Sequence, residues 1–457
     1  MNRIAGRAWV TVLFVLVLLG GFTFFICEYA ANAGEWVVFS GSPHLYNGTN
    51  IDCGVVTDAE GYLLLDMRNG REYSNEASIR RATVHWVGDR HGSVDAPALP
   101  YYSEQISGFD ALNGLYNYGN KSGLTQLSLS ASVQMAALDA LGSYKGTVAV
   151  YNYKTGKLIC AVTTPTYDPD NIPDFESDPS GAFEGVYVNR FTQSVYTPGS
   201  IFKIVTLAAA LETIPDIKNQ TFECAGKLNL ESGTITCETA HGRQDLKSAF
   251  CNSCNCAFGQ IALQIGGETL DRYVKQFGIT DSIVFDGITT AAGNYNAAGA
   301  VDANVAWSAV GQHEDLVNPA AFLRFVGAVA NDGRGVEPYV VNKVSVGSTV
   351  TYRAKPETGQ RIMSASTVST VKEYMSYNVS EKYGAENFPG LKVCAKTGTA
   401  EVGDAKKPNA MFAGFVDDEA YPFAFVICVE DAGYGKTVCV PIASKVLDAC
   451  KKLYDRS

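Results

Sequence analysis

Tyr196-Thr197-Pro198-Gly199-Ser200-Ile201-Phe202-Lys203-Ile204-Val205-Thr206-Leu207-Ala208-Ala209-Ala210-Leu211 is the stretch that decides how this 457-residue chain is read. Pro198 and Gly199 punctuate the chain just before a helix. The helix that follows is apolar nearly all round, which marks it as buried. Lys203 is its only charge before Glu212. Ser200 and Lys203 are one helical turn apart and share a face. Desolvation favours the neutral form of a lysine, and neutral lysine is a base. Free backbone N–H groups at the helix start favour a developing oxyanion beside Ser200. The segment therefore pairs a nucleophile, Ser200, with a general base, Lys203.

Two further strings complete the set that acyl transfer requires. Ser253-Cys254-Asn255 supplies a hydroxyl, Ser253, that can relay a proton to a leaving amine. Asn255 offers both a donor and an acceptor, so it can hold Lys203 and a substrate amide. Ser253 or Asn255 is also expected to cap the helix through 260–265. Lys396-Thr397-Gly398-Thr399 reads as a strand. Period-two alternation puts Thr397 and Thr399 on one side, where two hydroxyls can bind a carboxylate. Lys396 is expected to add positive charge there, and Gly398 leaves room for a substrate along the strand. The N–H groups of Ser200 and Thr399 are expected to form the oxyanion hole.

Each string has a double. Ser369-Thr370-Val371-Lys372 precedes Ser376-Tyr377-Asn378, and Lys154-Thr155-Gly156 repeats the third string. A chain of this length carries roughly one or two Ser-x-x-Lys strings by chance. Context separates them. Val368, Val371 and Met375 recur at helical spacing among polar residues, the pattern of an amphipathic surface helix. All the candidates of that second set lie on one short helix and could not surround a substrate. Lys154-Thr155-Gly156 reads as the turn of a hairpin between strands at 146–153 and 157–163.

The composition is that of a globular protein, 46% hydrophobic and 18% charged. A net charge of −11 and the lack of a basic run argue against a nucleic-acid partner. Residues 8–27 are free of charge, long enough to span a bilayer, with Arg3 and Arg7 before and Glu28 and Glu35 after. The positive-inside rule puts residues 1–7 in the cytoplasm and everything after the span outside. The rival is a cleaved signal peptide cut near Ala31-Asn32-Ala33; the apolar run is long for that role, and an uncleaved anchor is the expectation. Of twelve cysteines, Cys224 and Cys237 flank a segment in which Gly233 can turn a hairpin, and they are the best pair for a disulfide. Cys251, Cys254 and Cys256 with His241 invite a zinc reading, but their spacing is irregular and exported cysteines pair or stay buried more often. The expectation is no metal.

Four segments follow: a cytoplasmic tail 1–7, an anchor 8–27, a juxtamembrane pedestal 28–125 and a catalytic domain 126–457. The pedestal is expected to hold strands at 62–65 and 82–87. In the catalytic domain, a helix at 130–141 and the hairpin precede a mostly helical stretch from 200 to about 330. Strands return at 391–399, 410–416 and 423–429, and a helix at 440–454 closes the chain. The fold class is α+β: an antiparallel sheet flanked by helices, plus a helical lobe.

The residues from about 127 onward resemble the monofunctional, class B penicillin-binding proteins, the peptidoglycan transpeptidases of division, elongation and sporulation. The resemblance rests on Pro198-Gly199-Ser200-Ile201-Phe202-Lys203, on Thr163-Thr164-Pro165-Thr166-Tyr167-Asp168-Pro169, and on His241-Gly242 ahead of Ser253-Cys254-Asn255. Gly311-Gln312, Ala330-Asn331-Asp332-Gly333 and Lys396-Thr397-Gly398-Thr399-Ala400-Glu401 also match. It implies a penicillin-binding transpeptidase domain in which Ser200 attacks the penultimate D-alanine of a stem peptide and an amine resolves the acyl-enzyme into a cross-link. Catalytic roles fall to Ser200, Lys203, Ser253, Asn255 and Lys396, and substrate binding to Thr397, Gly398 and Thr399. It further implies acylation by β-lactams, a polytopic glycan polymerase as partner, and no cofactor. Ile201, His313 and Asn318 depart from the family's commoner small residue, glycine and threonine. A D,D-carboxypeptidase, a membrane-anchored β-lactamase and a non-enzymatic β-lactam sensor or scaffold remain alternatives; the long interval between the second and third strings fits a β-lactamase less well.

Overall fold

The computed structural model describes residues 2–39, 41–42, 45–47, 50–110, 112–114, 116, 122–175, 177–403 and 406–456. An antiparallel sheet of five strands positions the site. Its order is Val393–Ala400, Asn409–Val416, Phe423–Val429, Gly146–Asn152, Leu158–Thr164. The hairpin closes through Lys154-Thr155-Gly156, so the second Lys-Thr-Gly is a turn as expected. Both faces of the sheet are covered, which is why its strands read as continuous apolar runs rather than alternating ones. Val148, Val150, Phe412 and Phe425 pack on one face with helices Ala131–Leu141 and Gly435–Tyr454. Ala149, Tyr151, Ala413 and Val426 point the other way, to Phe322 and Phe325 of helix Pro319–Ala330.

Helices Lys203–Thr213, Leu246–Cys251, Asn255–Ile265, Gly267–Gln276 and Asp302–Ser308 form the lobe beyond that second face. The stretch from 200 to 330 is less helical than expected. Thr221–Cys224 pairs with Gly242–Asp245, and Lys227–Leu230 with Gly233–Thr236. These strands are four residues long and half-exposed, so they leave little hydrophobic periodicity to read.

A second, six-stranded sheet runs Thr349–Arg353, Val341–Val346, Gly123–Leu127, Val55–Thr57, Leu63–Asp66, Glu72–Tyr73. The boundary expected near 125 falls inside one of its strands, and the sheet takes strands from both sides of it. The strand expected at 82–87 is instead the end of a helix, Ala77–Val87. Its residues from Ala82 to Val87 are all buried, between helix Ala131–Leu141 and strand Leu158–Thr164. A short apolar run buried on all sides does not distinguish strand from helix by periodicity. A single helix, Asn2–Trp36, contains the apolar run 8–27 and extends past it. Its Ile4–Trp36 portion holds an 18-residue window of mean hydropathy 2.7 and is a candidate membrane span.

Candidate active site

The nucleophile segment begins as a 3-10 turn, Gly199–Phe202, and becomes α-helical at Lys203. Gly199 has φ 53°, and a Cβ there would lie 2.7 Å from the carbonyl oxygen of Thr399. Only glycine lets the turn sit this close to strand Val393–Ala400. Gly398 has the same role from the other side: its Cβ would lie 2.8 Å from the Pro198 carbonyl.

All three strings converge. Lys203 Nζ lies 2.7 Å from Ser200 Oγ, 2.7 Å from Asn255 Oδ1 and 3.4 Å from Ser253 Oγ. Lys203 has no exposed surface. Desolvation lowers its pKa to about 7, against the opposing pull of the Cys237 and Cys254 thiols. The neutral amine is therefore well populated near neutrality, in keeping with the apolar helix that carries it. Lys396 Nζ lies 3.0 Å from Ser253 Oγ and donates to the Thr397 carbonyl at 2.9 Å. Ser253 thus bridges two lysines. Its own backbone is left-handed, φ 54°, in the tight turn between helices Leu246–Cys251 and Asn255–Ile265. Burial and the neighbouring Lys203 push the Lys396 pKa well below its ordinary value. The positive charge expected of Lys396 is correspondingly disfavoured in the cleft without substrate.

Thr397 and Thr399 are the half-exposed residues of their strand, while Lys396, Gly398 and Ala400 are buried. The alternation places both hydroxyl-bearing residues on a cleft of about 430 Å³ that Ser200, Asn255 and Gln312 also line. The second set does not converge. Ser369 is exposed on helix Ala365–Asn378, and Lys372 is held by the Ala330 carbonyl at 2.7 Å and Asp417 at 3.1 Å.

Three features of the site lie beyond the sequence reading. Tyr383 Oη accepts from the Thr397 backbone N–H at 3.0 Å and contacts Thr397 Oγ1 at 3.1 Å, fixing the strand from behind. The Thr236 carbonyl accepts from Asn255 Nδ2 at 2.8 Å and orients that amide. The cap of helix Asn255–Ile265 is neither Ser253 nor Asn255 but Cys254, whose Sγ accepts from Ala257 N–H at 3.3 Å. Capping by Cys254 leaves both neighbouring polar side chains free for Lys203. The departures at 313 and 318 have local explanations. His313 holds a left-handed φ of 71°, a conformation that suits the commoner glycine, and Asn318 caps helix Pro319–Ala330 through Ala320 N–H at 3.0 Å.

Residues 146–448 match the family described as the penicillin binding protein transpeptidase domain. A curated relative, the peptidoglycan D,D-transpeptidase PbpA of Mycolicibacterium smegmatis, is 28% identical over 340 residues, 68% of each chain. Stage V sporulation protein D of Bacillus subtilis is 29% identical, over 66% of this chain and 48% of that one. Among solved structures, the penicillin G acyl-enzyme complex of penicillin-binding protein A from M. tuberculosis shares the fold. It has a TM-score of 0.74 at 22% identity and covers 88% of this chain and 99% of that chain. The D,D-transpeptidase domain of a peptidoglycan glycosyltransferase from Eggerthella lenta does likewise, with a TM-score of 0.75 at 24% identity over 88% and 98%. With two thirds of its length matched to that domain and this fold around its three converging strings, the chain belongs to the penicillin-binding protein transpeptidase family.

Proposed function

We infer that this chain is a peptidoglycan D,D-transpeptidase working through a Ser200 acyl-enzyme. The observation that carries the reading is the buried Lys203 amine, 2.7 Å from both Ser200 Oγ and Asn255 Oδ1, with its pKa lowered to about 7. Ser200 Oγ attacks the penultimate D-alanine carbonyl and gives its proton to Lys203 Nζ. The N–H groups of Ser200 and Thr399 receive the oxyanion. As the C–N bond breaks, a proton reaches the leaving D-alanine amine by way of Ser253, which lies in contact with both lysines. Thr397 and Thr399 bind the terminal carboxylate, and its arrival restores the charge on Lys396. An amine then attacks the ester and frees Ser200. A β-lactam follows the first half of this path and stalls at the ester.

The candidate span near the N-terminus supports a membrane anchor, with Arg3 and Arg7 on the cytoplasmic side and the cleft outside, where peptidoglycan is built. A polytopic glycan polymerase in the same membrane fits as partner, because cross-linking acts on strands as they are made. The test is a cross-linking assay on lipid-linked stem pentapeptide, with and without an added amine acceptor. The expected products are free D-alanine together with cross-linked dimers. D-alanine without any cross-link, acceptor present, would move the assignment to a D,D-carboxypeptidase.

A further inference from the structure

Beside the Ser253 turn, four side chains point their donor atoms at one spot. Cys224 ends strand Thr221–Cys224; Cys237 follows strand Gly233–Thr236; His241 precedes strand Gly242–Asp245; Cys254 caps helix Asn255–Ile265. One donor atom from each lies within 4.8 Å of all the others. Cys237 Sγ and Cys254 Sγ are 3.8 Å apart, and Cys224 Sγ and His241 Nδ1 are 3.5 Å apart. A tetrahedral ion with bonds of about 2.3 Å to sulfur and about 2.0–2.1 Å to nitrogen has edges of about 3.8 Å between sulfurs and about 3.5 Å between sulfur and nitrogen. The surroundings suit thiolates. Cys254 Sγ accepts from Ala257 N–H, and Cys237 Sγ from Cys256 N–H, each at 3.3 Å. The free ring nitrogen, His241 Nε2, contacts Thr239 Oγ1 at 3.4 Å, as an oriented ligand requires. The set differs from the one the spacing suggests: Cys224 and Cys237 join it, Cys251 and Cys256 do not. The disulfide expected between Cys224 and Cys237 is not formed; both are free thiols.

We propose that Cys224, Cys237, His241 and Cys254 bind one zinc ion that clamps the hairpin region to the turn carrying Ser253 and Asn255. Three thiolates and an imidazole in tetrahedral array favour zinc over magnesium or calcium, which prefer oxygen. Four protein ligands leave no open position, so the ion is structural. Its lever on the cleft is short. Cys254 lies between Ser253 and Asn255, and Cys237 follows Thr236, whose carbonyl holds Asn255. Metal binding stands independently of the acyl-transfer reading; only its effect on acylation rests on that reading.

The test begins with elemental analysis of the full chain, purified in detergent with reductant. One zinc per chain is expected. Cys224→Ser and His241→Ala should each lose most of it, while Cys251→Ser keeps it. X-ray absorption at the zinc edge of the unaltered protein should give three sulfur neighbours and one nitrogen, which covers the case of a variant that fails to fold. Chelation should slow acylation by a fluorescent penicillin about tenfold, reversed by zinc and not by magnesium. Protein that stays zinc-free after reconstitution would overturn the proposal. So would zinc retained in both variants, or a disulfide joining two of the four proposed ligands, found by peptide mapping of the reduced preparation. Normal zinc content with no acylation in any sample would count against the acyl-transfer reading alone.

Discussion

Lys203→Met is expected to slow acylation by benzylpenicillin about 10³-fold while the protein stays folded, because it deletes the base and little else. Methionine fills the space of the lysine stem without a charge to desolvate. It leaves Asn255 Oδ1 without its amine partner at a cost of about 1–3 kcal/mol, which a chain of this size tolerates. The pH dependence isolates the chemical role. Lys203 has its pKa lowered to about 7 by desolvation, and only the neutral amine takes the Ser200 proton. Acylation by the unaltered protein should therefore fall about tenfold for each pH unit below that value and level off above it. The direction of the shift sets the sign: a lysine left at its ordinary pKa would be protonated, and inactive as a base, across the whole neutral range. In Lys203→Met the residual rate should lose this dependence. A Lys203→Met protein that acylates normally, or keeps the same profile, would remove Lys203 from the mechanism. Stopped-flow or gel-based labelling across about pH 5–9 measures both.

Gly199→Ala is expected to cost acylation more than about 10²-fold and lower Tm by a few degrees. Two effects combine. A left-handed φ of 53° costs a non-glycine residue roughly 1–2 kcal/mol. The new Cβ would also lie 2.7 Å from the Thr399 carbonyl, which is backbone and cannot rotate aside. The nucleophile turn and strand Val393–Ala400 must then separate, and with them the two N–H groups proposed to share the oxyanion. A strained turn without functional consequence would show as a lower Tm with acylation unchanged. That outcome would contradict an oxyanion hole shared between the two elements. Paired calorimetry and acylation kinetics distinguish the cases.

The sequence exposes the chemistry more fully than the architecture around it. A lysine alone on an apolar helix announces its own burial, and the observed Lys203 is buried at hydrogen-bonding distance from Ser200 and Asn255. The strands of the five-stranded sheet are legible as long apolar runs, and 423–429 coincides with its observed strand. Of the second sheet, the strand expected at 62–65 is found as Leu63–Asp66, but the pairing is not legible, because neighbours such as Gly123–Leu127 and Val341–Val346 lie more than two hundred residues apart in the chain. The hairpins between 221 and 245 escape notice because short, half-exposed strands carry weak periodicity. Tyr383 leaves no signal: it follows helix Ala365–Asn378 in a single π-helical turn, Val379–Tyr383, and meets Thr397 only through the tertiary fold. Cys254 reads, in sequence, as the residue between two polar ones and as one of three closely spaced cysteines that, with His241, invite a zinc reading. Its capping bond and its place among Cys224, Cys237 and His241 arise from elements that come together only in the folded lobe.

The most direct test is to map the covalent adduct. The full chain is treated with benzylpenicillin, digested, and the peptides sequenced by mass spectrometry. A single penicilloyl ester is predicted on Ser200, absent from Ser200→Ala and unchanged in Ser369→Ala. An adduct on Ser369 or any other residue, or one that persists in Ser200→Ala, would contradict Ser200 as the nucleophile.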